Sequence, residues 1–159
     1  MADGELWRLF TSALVVEGFA APQIVVTAAA AFAVIRLRGP LVWWAAVIAG
    51  HVGSALLAYA IIGIAGADSA ADDPDFGISC VLGASLGALF ACGWRVVGAL
   101  GFLLLLPFSL DWYGPEHPLS FVLGALVVAA ADRLRGRGQP IGRSPQAGRL
   151  DAPHEPGVR

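Results

Sequence analysis

Residues 39–67 read GPLVWWAAVIAGHVGSALLAYAIIGIAGA, without one charged side chain. A helix rising ~1.5 Å per residue needs about 20 such residues to cross a hydrocarbon layer ~30 Å thick. This stretch exceeds that length. Outward from it, charges mark off four more apolar segments: 9–35, interrupted only by Glu17, then 76–94, 96–110 and 117–131. Backbone N–H and C=O groups in lipid must be bonded within the segment, so all five are expected to be helices. The first three are long enough to span. The last two are short, marginal unless the bilayer thins locally.

Composition agrees with that reading. The 159 residues are 57% hydrophobic and 14% charged, with a mean hydropathy of +0.72. A soluble domain carries about 25% charge, so a soluble enzyme and a disordered chain are both excluded. Ten Arg against twelve Asp and Glu leave a net charge of -2. That is no basic excess with which to meet nucleic-acid phosphates, so no nucleic-acid partner is expected. Cys80 and Cys92, if carried on one helix, stand about 18 Å apart, beyond the ~7 Å that a disulfide can bridge. No Cys/His spacing suits zinc, and no metal or cofactor is expected. The start, Met1 to Glu5, is acidic where a secretory leader would be basic, so no cleaved leader is expected.

The connections alternate in sign. Arg36 and Arg38 follow the first segment, Arg95 the third, and Arg133, Arg135 and Arg137 the fifth. Asp68, Asp72, Asp73 and Asp75 follow the second, and Asp111 and Glu116 the fourth. Arginine marks the cytoplasmic side, so a multi-pass protein of the cell membrane is expected, N-terminus outside and C-terminus inside. Trp7, Trp43, Trp44, Trp94, Trp112 and Tyr113 fall near segment ends, where interfacial aromatics belong. Residues 1–133 form the expected transmembrane domain. Residues 134–159, rich in Arg, Gly, Pro, Gln and Ser, form an expected disordered cytoplasmic tail.

Polar residues within spans are costly, which makes them candidates for function. Here they are Glu17, Gln23, His51, Ser54, Ser79, Ser85, His117 and Ser120. A serine in a span ordinarily bonds back to its own helix. Ser79 has more company: Ser79, Gly83 and Gly87 recur every four residues on one helical face. The stretch from Gly83 to Gly87 follows the small-xxx-small pattern of close helix approach. His117, Phe121, Gly124 and Val128 share a face by the same rule. If the glycine stripes meet, Ser79 and His117 converge near the outer ends of two packed helices. Serine becomes a nucleophile beside a base, and histidine is the usual one. The pair is a candidate hydrolytic dyad. Pro118 disfavours helical torsions at the residue before it, so His117 is expected to cap its helix from outside.

Gly77-Ile78-Ser79-Cys80 resembles the Gly-x-Ser-Gly nucleophile motif of rhomboid intramembrane serine proteases. His117, seven residues before Gly124, is similar to the catalytic histidine of the last rhomboid core helix. Trp7-Arg8-Leu9-Phe10-Thr11-Ser12 resembles the Trp-Arg segment leading into the second core helix. Gly50-His51-Val52-Gly53 and Asp75-Phe76-Gly77-Ile78-Ser79 look more like a divergent bacterial rhomboid-like branch. The resemblance runs from Trp7 to Arg133. It implies an all-α, polytopic bundle with the first core helix missing from the usual six.

The resemblance also implies roles: Ser79 as nucleophile, His117 as general base, and a transmembrane protein segment as substrate. Cys80 stands where the motif has its second glycine. The His-x-x-x-Asn that helps to bind the oxyanion is absent from the matching stretch, where Gln23 is the available amide. Gly77, Cys80, Gln23 and the Ser79 backbone N–H are therefore the expected supports of the site. Losing one oxyanion donor lowers rate by about 10²–10³. An inactive, client-binding protein is accordingly the competing reading. A carrier built on Glu17 and His51 is a third, though the chain lacks the paired broken helices and internal repeat of transporters.

Overall fold

A computed structural model describes residues 20–65, 77–106 and 116–137. Glu17, the Trp7–Ser12 segment, the acidic residues 68–75, Asp111, Trp112, Tyr113 and the tail from 138 lie outside the described residues. The described residues are all helical: α1 (Ala20–Arg38), α2 (Pro40–Ala65), α3 (Ile78–Ala91), α4 (Arg95–Leu105) and α5 (Glu116–Arg137). Three stretches, Ala21–Arg38 in α1, Pro40–Ile61 in α2 and Glu116–Gly136 in α5, are long and apolar enough to cross a membrane. The last of these corrects the expectation for segment 117–131. Its helix continues past Ala131 because Asp132 pairs with Arg38 (Arg38 Nε to Oδ1, 3.0 Å) instead of ending the apolar run. α3 and α4, by contrast, are short apolar helices, which also corrects the expectation for segment 76–94: the Gly93 turn ends α3 after 14 residues.

Two glycines make the sharp turns. Gly39, at φ +91°, lets α1 stop and α2 start one residue later, with Pro40 at its first helical position. Gly93, at φ +101°, ends α3. There the Gly93 N–H donates to the Phe90 carbonyl and the Trp94 N–H to the Leu89 carbonyl, both at 3.1 Å. That pair of bonds is the Schellman motif, and it satisfies two carbonyls left over at the helix end. α4 then returns along α3: Gly98 faces Phe90 and Gly101 faces Leu86.

α3 is the hub. Every residue from Leu82 to Leu89 is buried, and α1, α2, α4 and α5 all pack on it. Towards its C-terminal end, Ala88 and Leu89 join Ala30 and Val34 of α1, Ala46 of α2 and Val128 of α5. Alongside, Leu82 and Leu86 meet Leu105 of α4 and Phe121 of α5. The Phe121 ring lies between Phe102 (4.7 Å) and Phe90 (5.8 Å). Large apolar side chains meanwhile cover the outside, among them Leu41, Ile64, Val96, Leu104 and Leu126. A water-soluble monomer rarely exposes a contiguous apolar patch of more than a few hundred Å². An outer face this apolar suits a hydrocarbon surrounding.

Candidate functional site

α3 and α5 run parallel and touch through their smallest residues. A Cβ at Gly83 would meet Ser120 Oγ, one at Gly87 the Phe121 carbonyl oxygen, and one at Gly124 the Ala84 carbonyl oxygen. Backbone lies against backbone, which only residues with little or no side chain permit. α2 closes over the same seam, where a Cβ at Gly50 would run into Ala84 and lie 3.1 Å from the Ser120 carbonyl oxygen.

The buried hydroxyls of this region bond locally. Ser120 donates to the His117 carbonyl (2.8 Å), Ser54 to the His51 carbonyl (3.1 Å) and Ser85 to the Val81 carbonyl (2.8 Å). Ser85 Oγ also accepts from Trp43 Nε1 at 3.1 Å. Trp43 is thus half-buried against the core, while Trp44 and Trp94 are exposed. His51 is 4% exposed and belongs to the interior.

The packing sets the position of each sequence-derived residue. Gly77 is buried and caps α3, its carbonyl accepting from the Cys80 and Val81 N–H groups at 3.1 and 3.2 Å. Ser79 is the second residue of α3 and His117 the second of α5, both half-buried. Cys80, next to Ser79, reaches across to α5 and donates its S–H to Glu116 Oε2 at 3.9 Å. One turn further on, Gly83 stands against the His117 carbonyl, 3.3 Å from where a Cβ would be. Both contacts fall within about one turn of Ser79 and His117 along the seam.

Gln23 lies in the first turn of α1, half-buried, its Oε1 with no hydrogen-bond partner among the described residues. α1 and α5 end together at the Arg38–Asp132 pair, and Cys92, which caps α3, packs into the same end. At ~1.5 Å per residue, Gln23, Ser79 and His117 each stand roughly 20–22 Å from that end. All three lie towards the end of the bundle opposite the Arg38–Asp132 pair.

Two expectations need correcting here. His117 lies inside the first turn of α5, not outside it. Proline removes an N–H that the first turn of a helix does not use, so Pro118 is accommodated there. Glu116 belongs to the same turn and not to an acidic loop: it is 7% exposed, held against Cys80. The buried carboxyl left no sign in the sequence, because a charged residue at the edge of an apolar run reads as part of the polar connection. Cys80 and Cys92 are not joined by a disulfide. Among the described residues, no group of three or more His, Cys, Asp or Glu could hold a metal ion.

At the opposite end lies a second polar cluster, whose arginines the sequence placed on one side but whose pairing with Asp132 it did not show. Arg38 grips Asp132 with Nε (3.0 and 3.3 Å) and Nη2 (3.1 Å), joining α1 to α5. Arg135 Nη2 donates to the Arg38 carbonyl at 3.0 Å, satisfying a leftover acceptor at the end of α1. Compared with protein-family models, with curated proteins and with solved structures, the chain matches none.

Proposed function

We propose that the chain is a rhomboid-like membrane protein whose Ser79 and His117 act as a hydrolytic dyad on transmembrane segments of other proteins. The supporting observation is the α3–α5 seam: glycine contacts set two parallel helices backbone to backbone, with Ser79 and His117 in their first turns. In this reading all five helices are spans or partial spans, and the arginine-bearing ends face the cytoplasm. Ser79 Oγ attacks the scissile carbonyl and His117 accepts its proton, then returns it to the leaving amine. In this scheme the Ser79 backbone N–H and the Gln23 side-chain amide are the donors for the developing oxyanion. No cofactor enters the scheme.

The test is covalent labelling of detergent-purified protein with a fluorophosphonate probe. Wild type is expected to label, and Ser79→Ala and His117→Ala are not. Labelling that survives Ser79→Ala sinks the dyad. One observation favours the competing, client-binding reading: the Cys80 side chain, 1% exposed and held by Glu116, fills the place that the motif leaves to glycine. A folded wild type that neither labels nor cleaves a helical substrate supports that alternative.

A further inference from the structure

Described charge is segregated in this bundle. Arg36, Arg38, Arg95, Asp132, Arg133 and Arg135 gather where α1 and α5 end and α4 begins. Glu116 starts α5 at the opposite end. Asp132 is matched by Arg38, so this end is left with a strong positive excess in a chain whose net charge is -2. Arg36, Arg95 and Arg133 are exposed. Trp44, near the start of α2, and Trp94, next to Arg95, are 53% and 51% exposed at the same end. Arginine forks beside exposed indoles are what a headgroup layer rewards: guanidinium binds phosphate through paired N–H groups, and indole settles at the polar–apolar boundary.

We propose that this end is a docking surface for anionic phospholipid headgroups, with Arg36, Arg95 and Arg133 as the phosphate-binding side chains and Trp44 and Trp94 as their interfacial anchors. The Arg38–Asp132 pair is the frame of the surface, since it fixes the end of α1 against α5 and so holds Arg36 and Arg133 on neighbouring helix ends. The inference rests on charge and placement and is independent of any reaction at Ser79.

The test uses the full-length protein in neutral detergent, with bound lipids counted by native mass spectrometry as phosphatidylglycerol or phosphatidylcholine is added. Wild type is expected to take phosphatidylglycerol in clear preference. Each of Arg36→Gln, Arg95→Gln and Arg133→Gln should lower that preference about fivefold, the share of one arginine at an anionic surface. Trp44→Leu should weaken both lipids together. The three arginine positions are exposed, so helicity and elution volume should match wild type and separate loss of binding from loss of fold. An unchanged preference in all three variants overturns the proposal. So does displacement of phosphatidylglycerol by millimolar inorganic phosphate, which would mark a site for free anions.

Discussion

Gly87→Ala adds one methyl group at the tightest point of the α3–α5 seam. The new carbon would fall on the Phe121 carbonyl oxygen, with the carbonyl carbon 2.7 Å away and Cα 3.0 Å away. Carbon atoms rest at ~3.5–4.0 Å, so α3 and α5 must part by about 1 Å. No side-chain rotation relieves the overlap, because the obstructing atoms are backbone. A gap of ~0.5–1 Å forfeits a quarter to a half of each dispersion contact along the seam. The expected cost is about 3 kcal/mol, the top of the ordinary overpacking range. Gly63→Ala on α2 is the control, since a Cβ there meets nothing within 4 Å. Its better helix propensity should stabilise by up to about 1 kcal/mol. In detergent the melting temperature of Gly87→Ala should fall by roughly 6–12 °C, while Gly63→Ala holds or rises slightly. Equal melting temperatures for the two variants would refute the backbone-to-backbone seam.

Three further outcomes follow from the same contacts. A double-mutant cycle on Arg38→Gln and Asp132→Asn, read by chemical unfolding in micelles, should give a coupling of up to about 1 kcal/mol, because the pair is partly exposed. Ser120→Ala should destabilise by about 1 kcal/mol through loss of its bond to the His117 carbonyl, and Ser120→Leu by more, since Gly83 leaves no room for it; thermal melting ranks the two. Burial holds the Cys92 thiol above its ordinary value, with the nearby Arg38 charge acting in the opposite direction. Maleimide labelling of folded Cys92 at neutral pH should therefore be slow and should accelerate as pH rises; a flat rate between pH 7 and about 9 would contradict that shift.

Much of the helical framework was legible in local chemistry. Charge-free runs mark helices, and Arg36, Arg38, Arg95, Arg133 and Arg135 mark one end. Those features depend on neighbours in the chain, so reading along the chain suffices. The turns at Gly39 and Gly93, both read as parts of apolar runs, came from the structure. The glycine stripes through Gly83 and Gly124 were legible as close-approach faces, and the tertiary structure set their contacts with Ser120 and with Ala84. Other features were decided only by the fold. Nothing local says that α3 is the hub, that Glu116 is buried against Cys80, or that Asp132 belongs to Arg38 and lets α5 run on. A soluble helix shows its buried face by amphipathic contrast. When the surroundings are as apolar as the core, as the outer face of this bundle suits, that contrast disappears and packing shape takes over. Hence α1, α2 and α5 look alike all the way round, and which side of each faces protein is settled by how closely another backbone can approach.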